Sequence, residues 1–432
     1  MKSIFKAIDN SPLIVFRILF GFLIACESFG AILTGWVKRV LTDPQFTFSF
    51  IGFEWLQPLP GFGMYFYFVL MGFFGLAIML GYRYRIAIIT YTLLWAGAYF
   101  MQKSSYNNHY YLLLLISFLL IFLPANKYAS LDVKQNRISE ENTMPYWINL
   151  LFIIQVGIVY VFASLAKFYP DWLDGTFTKN LLSGTTSRPF FLELFSQKWF
   201  YLFIAYAGIL FDLLIVPFLL FKKTRTLALI ASVIFHIFNS ITLQIGIFPF
   251  FALTFALFFY EPETIRRLFL RKKPKLEDEN LSQNLYGKRI VYFLMIPYLI
   301  IQIALPLRHH FIEGDVLWTE EGHRLSWRMM LRERNGYITI QIKDLKTGSV
   351  SIYNYRKNLT NKQAQNLATK PDFIWQYCQR IKEEYKGKPI AIYIDCKNSI
   401  NRKEYKSLID PNYDMAKAEW NYFAHNEWIL LY

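Results

Sequence analysis

Apolar residues in this chain come in long runs separated by short polar stretches. The runs cover 13–36, 61–81, 86–102, 109–124, 146–166, 199–221, 226–244, 246–260 and 289–307. A run of about 20 apolar residues matches the hydrocarbon thickness of a bilayer, and in lipid a helix satisfies its own backbone. The pattern predicts a polytopic α-helical membrane protein of about nine spans. The third, fourth and eighth runs are short and fit tilted, interfacial or re-entrant helices. Beyond residue 307 the pattern changes. YITIQIKDLKTGSVSIYNY alternates around Lys346-Thr347-Gly348, which predicts a β-hairpin. Residues 360–385 look helical with Pro371 as a point of interruption, and 389–396 reads as another strand. The chain therefore divides into a transmembrane helical domain, 1–307, and a mixed α/β domain, 308–432, long enough to bury its own core.

Composition supports the division. The chain is 54% apolar and 18% charged, with a net charge of +15. Ordinary soluble domains carry roughly 25% charge. Residues 308–432 hold 20 basic and 15 acidic residues, leaving 26 and 16 for the longer first part. With the N-terminus in the cytoplasm, 17 Lys and Arg fall in inside segments and seven in outside loops. That asymmetry favours a cytoplasmic N-terminus and, with nine spans, an exterior or lumenal α/β domain. A bacterial inner membrane or the endoplasmic reticulum fits this reading. Fusing 226–260 into one span would move the domain to the other side. Basic loops facing anionic lipid explain the positive charge, so no nucleic-acid partner is inferred.

Lys2 and Lys6 precede the first run with no small-residue cleavage site, which predicts a retained signal-anchor. Cys26, Cys378 and Cys396 are scattered with no CxxC spacing, so neither a zinc site nor a redox pair is signalled. A Cys378–Cys396 bridge is open if the domain faces an oxidising compartment, but it is not the favoured reading.

Ionisable groups inside apolar runs mark candidate chemistry. Arg17, near a span end, is expected to snorkel, and Glu27 needs a partner or a proton. Asp212 interrupts ILFDLLIVPFLL. Ser232, His236, Asn239, Ser240 and Gln244 share one helical face, which lines a cavity or forms a hydrogen-bonded seam between helices. Lys167 closes the fifth run in YVFASLAKFYPDW, among Phe162, Leu165, Phe168 and Trp172. Such a lysine anchors a helix end or, desolvated, loses preference for its charged form and serves as a general base. The SSYNNHYY loop places Asn107, Asn108 and His109 at the same membrane surface. No GxGxxG, P-loop, HExxH, GxSxG or EF-hand pattern occurs, and His309-His310 reads as interfacial.

At these residues the chain resembles the vitamin K-dependent γ-glutamyl carboxylase family, which shares the HTTM domain. SSYNNHYYL resembles the family's Ser-Trp-Asn-Asn-His-x-Tyr-Leu loop. YVFASLAKFYPDW resembles its Tyr-Phe-x-Ala-x-x-Lys-Lys-x-x-x-Asp-Trp segment, and FHIFNSITLQIGIFPF its His-x-x-Asn-Ser segment. LSWRMML, IDCKNSIN and IDPNYDMAKAEW resemble blocks of its second domain in the same order. Ala166 stands where the family has the first lysine of its pair, and Arg328 where it has Asp.

The resemblance implies an enzyme that oxidises vitamin K hydroquinone, or menaquinol, with O2 to the epoxide. That oxidation is coupled to addition of CO2 at the γ-carbon of a glutamate in a peptide or protein. It implies Lys167 as the base that deprotonates the hydroquinone and His109 as a second catalytic group. Asn108, His236 and Asn239 would contact the quinone. The rival readings are a quinol epoxidase without carboxylation and a membrane transporter or scaffold. A transporter is expected to show repeat-related broken helices at mid-membrane, and the sequence contains no such pair.

Overall fold

The computed structural model describes residues 4–184, 189–243, 246–276 and 286–432. Each of the nine apolar runs contains a helix. Helix α1 (Ser11–Leu33) is followed by α2 (Gly63–Leu80), α3 (Tyr84–Phe100), α4 (Asn108–Ile121) and α5 (Tyr146–Leu165). Next come α6 (Lys198–Leu220), α7 (Arg225–Leu243), α8 (Phe248–Thr254) and α9 (Ile296–Leu307). Five helical stretches are long and apolar enough to cross a membrane: Ser11–Leu33, Gly63–Leu80, Tyr146–Leu165, Lys198–Leu220 and Lys288–Phe311. The stretches Asn108–Ile121, Arg225–Ile241 and Phe248–Phe258 are apolar but shorter. The expected nine full spans are thus met in part, because several runs are too short to span unaided.

Side-chain size decides how the helices meet. Helices α1 and α2 approach so closely that a Cβ on Gly21 would strike the Met79 backbone, and one on Gly75 would lie 2.8 Å from Ala25 N. Small residues let helices in lipid gain van der Waals contact that larger ones would block. Arg17 is not at a lipid surface: it is fully buried, and its guanidinium donates to the carbonyls of Ala125 and Ala129 at 3.2 and 2.7 Å. Glu27 finds its partner in the Tyr110 hydroxyl, which donates to it at 2.7 Å.

The second domain is a four-stranded antiparallel sheet covered by two helices. Strands β1 (Ala7–Asp9) and β2 (Thr143–Pro145) form a separate small ribbon. The main sheet has the order β4-β3-β5-β6, from β3 (Arg334–Asp344), β4 (Val350–Ile352), β5 (Ile390–Ile400) and β6 (Lys406–Ser407). The predicted hairpin is β3–β4, with Lys343 opposite Val350. Ile338, Ile340 and Ile342 alternate inward and face Cys396, Ile394 and Ile392. Pro371 divides the predicted helix in two. Helix α10 (Asn361–Thr369) begins with a Thr360–Gln363 capping box, and Pro371 opens α11 (Pro371–Glu384), where its missing N–H costs nothing. Phe373, Ile374, Tyr377, Cys378 and Ile381 form the buried stripe of α11. Cys378 and Cys396 are both buried in this core as free thiols.

Polar clamps tie the two parts together where the candidate site lies. Lys103, between α3 and α4, is 1% exposed and bridges Asp372 at 2.9 Å; Asp372 also receives Arg324 at 2.6 Å. Asp171 accepts from Asn401 and Lys403 at 2.8 and 2.6 Å, fixing the segment that follows Lys167 against the sheet domain.

Candidate active site

Helix α5 ends at Leu165, and the chain turns sharply so that Lys167 N–H donates to Ser164 O at 2.9 Å. The side chain then runs back into the protein. Lys167 Nζ donates to Asp212 Oδ2 on α6 at 2.5 Å and to Ala163 O at 3.0 Å, with the Trp172 ring 5.4 Å away. Both residues of the pair are 7% exposed. Two hydrogen bonds hold the helices at this spacing: Ser164 Oγ to Ile209 O at 3.2 Å and Trp172 Nε1 to Ala205 O at 3.1 Å. Two opposite charges buried side by side offset each other's desolvation.

The pair lies on the wall of an apolar cavity of about 220 Å3, enclosed by α4, α5, α6, α7 and α8 and closed by Met329 and Met330. His109, His236 and Asn239 also line it. Phe248 sits between the two histidines: His109 stacks on it at 3.7 Å, and His236 meets its edge at 6.0 Å. The Tyr160 hydroxyl lies 3.0 Å from His236 Nε2, while His236 Nδ1 is buried without a hydrogen-bond partner among the described residues. Of the polar face on α7, His236 and Asn239 reach the cavity; Ser232 is buried outside its lining, and Gln244 lies outside the described residues.

Asn108 is elsewhere. Its amide donates to Arg328 O at 3.1 Å and its oxygen accepts from the Tyr106 hydroxyl at 2.9 Å. It faces a second cavity of about 430 Å3 between the α3–α4 loop and the sheet domain. His109, Met329 and Met330 line both cavities, so the two adjoin there. The dividing segment is strained: Leu325, Trp327 and Met330 have φ of 60°, 57° and 50°. Left-handed backbone at bulky residues costs energy and persists where packing enforces it. Trp327 supplies that packing, fully buried and stacked on Tyr111 at 4.9 Å.

Sequence reasoning singled out Lys167, His109, His236 and Asn239, which line one cavity, without placing them together or identifying what links them. It noted Asp212 only as an interruption of an apolar run. The signal available was one acid and one base, each isolated in apolar sequence and in need of a partner. Tyr160 and the charged second cavity were missed, because nothing local distinguishes them. Among the described residues no cluster of His, Cys, Asp or Glu is arranged to hold a metal ion.

An acid–base pair inside an apolar helical cavity, roofed by a small sheet domain, defines a helical membrane protein with an enzyme-like site. The chain matches the HTTM domain over residues 5–263 and the vitamin K-dependent gamma-carboxylase lumenal domain over residues 287–432. It belongs to the vitamin K-dependent γ-glutamyl carboxylase family. No solved structure matches it.

Proposed function

We propose that this protein is an integral membrane enzyme that oxidises a reduced naphthoquinone, vitamin K hydroquinone or menaquinol, and couples the oxidation to carboxylation of a glutamate. The observation that supports this reading is the buried Lys167–Asp212 pair on the wall of an apolar cavity. The residues present suit such a ring: apolar and aromatic walls, an amine, and His236 Nδ1 buried without a partner. Oxidised by O2 to its epoxide, the quinol supplies the strong base that abstracts a glutamate γ-proton before CO2 adds.

The chain's own residues prepare that chemistry. Asp212 Oδ2 takes the proton that frees the Lys167 lone pair, and Nζ then accepts the proton of a quinol hydroxyl. An ammonium held beside the resulting anion stabilises it strongly where water is excluded. His236, fixed by Tyr160, offers Nδ1 to a quinol oxygen. His109 covers the side toward the second cavity, and Asn239 adds a polar contact. Asn108 positions the turn that carries His109 through its bond to Arg328 O. The sheet domain faces the exterior or lumen, the side the charge asymmetry assigns to it.

The test is incubation of the purified protein with reduced vitamin K, O2, labelled CO2 and a Glu-containing peptide, scoring epoxide and carboxylated product separately. Both products are expected. Epoxide alone would leave quinol oxidation as the activity, and neither product with a folded protein would remove the enzyme reading.

A further inference from the structure

The second cavity is lined by charges that the protein does not balance. Six cationic side chains line it: Arg324, Arg328, Arg332, Arg334, Lys362 and Lys370. Among the described residues one carboxylate, Glu320, lines it, and it is shared by Arg332 and Arg334. Arg324 is matched by Asp372, which Lys103 also occupies. Lys362 reaches Ser105 Oγ at 3.2 Å, and Arg328 has only a 3.5 Å approach to His309 Nε2. No carboxylate among the described residues pairs with Lys370, whose Nζ lies 5.6 Å from the Phe373 ring.

The guanidinium groups also leave donors unused. Arg328 Nε, Arg332 Nε and Arg334 Nη2 are buried with no hydrogen-bond partner among the described residues. The Arg332 and Arg334 side chains are 8% and 6% exposed, so water does not readily complete them. A buried donor without a partner costs free energy, and more so when the group is charged. Several in one cavity describe a site whose missing component is an anion.

We propose that this cavity binds a dicarboxylate, with two carboxylates a few bonds apart as in glutarate, in preference to a single isolated carboxylate. The assignment rests on the acceptor of the proposed reaction entering through this cavity. Arg328, Lys362, Lys370 and one of the Arg332–Arg334 pair are left without a carboxylate, and Asp372 is divided between Arg324 and Lys103, more positive charge than one added carboxylate neutralises. Guanidinium forks bind carboxylates in two-point fashion, and Arg328 and the Arg332–Arg334 pair provide more than one such position. The chain between the two carboxylates would pass the shared wall of Met329, Met330 and His109, next to Lys167's cavity. Burial and the Arg324 guanidinium push Lys370 down to about 8, as befits a cation without its counter-ion.

The experiment is calorimetric titration of the full chain in nanodiscs, at neutral pH and fixed ionic strength, with glutarate, its half-amide and butyrate. Glutarate is expected to bind at least tenfold more tightly than either monoanion. Arg328→Gln is expected to reduce glutarate affinity at least fivefold and to narrow that preference. Equal affinity for glutarate and its half-amide overturns the proposal without any variant being needed. So does tighter binding of inorganic phosphate than of glutarate, or an Arg328→Gln protein that folds and binds glutarate like the parent. Binding is read without turnover. A protein that forms epoxide but fails to discriminate loses only this assignment, and one that discriminates without turnover loses only the proposed reaction.

Discussion

The Lys167 amine lies 2.5 Å from the Asp212 carboxylate, at the end of one helix and well inside another, 45 residues apart in sequence. Each is nearly enclosed, so neither has water to fall back on. This changes what a lysine variant tests. An interfacial anchor would be lost at little cost, but removing Lys167 leaves Asp212 buried alone. Lys167→Ala is expected to abolish epoxide formation and to lower stability by about 3 kcal/mol, since breaking a buried pair strands a charge. Lys167→Ala combined with Asp212→Asn should recover most of the stability and none of the activity. Lys167→Arg should stay inactive because a guanidinium does not give up its proton. Thermal unfolding in nanodiscs beside the epoxide assay separates the two effects, and full epoxidation by Lys167→Ala would remove the base assignment.

His236 depends on Tyr160 for its orientation. Tyr160→Phe is expected to weaken quinol binding roughly tenfold, the worth of one hydrogen bond that fixes a ligand-facing ring. His236→Leu and Asn239→Leu should weaken it further. Ile237→Ala serves as the control, since Ile237 is on the outer face of the same helix and is exposed. Quinol titration by intrinsic fluorescence reads these affinities, and parent-like binding by all three site variants would reduce the polar face to a packing seam.

Lys103 links stability to pH. Burial, the largest influence, pushes its amine down to about 8 despite the opposing pull of Asp372, against 10.5 for a free lysine. Between those values the unfolded chain holds more protons than the folded one, so stability rises with pH through that window and does not change below it on this account. The rise amounts to about 3 kcal/mol at most for this group. Lys103→Met should flatten the corresponding part of the stability curve measured from pH 7.5 to 10.5. An unchanged curve would mean that the amine is not desolvated as its burial implies.

Membrane orientation has its own readout. In a background lacking the exposed Cys26, cysteines placed at Lys38, Lys179 and Ser349 should react with impermeant maleimide from one side, and one at Lys272 from the other. The first three are expected to be exterior. Labelling of Ser349 only from the cytoplasmic side would reverse the proposed placement of the sheet domain.

Much of the fold was legible along the chain because its cause is local. Apolar runs commit a segment to helix, and alternation at Ile338, Ile340 and Ile342 commits another to a strand with one buried face. Pro371 announced a break, which became the boundary between α10 and α11. The number of full spans was less legible, because a run of 14 to 17 residues has the composition of a span without its length.

Three of the site residues were marked by their own cost, an amine, an imidazole and an amide in or at the end of apolar runs, whereas His109 stands in a polar loop and was marked by the family resemblance. A polar group is expensive in such surroundings whatever its partner, so a linear reading detects it. The partner itself depends on which helices pack together. Asp212 meets Lys167 because α5 and α6 are stapled through Ser164 and Trp172. The six cations of the second cavity come from the segments before and within β3 and from α10 and its end, and in sequence they resemble an ordinary charged surface. Composition and periodicity determined that this is a helical membrane protein with an α/β appendage and with polar groups in its apolar runs. The pairing of those groups, and the gathering of unbalanced positive charge beside them, was decided only by tertiary packing, because Coulombic and hydrogen-bond energies depend on distances in space that sequence separation does not encode.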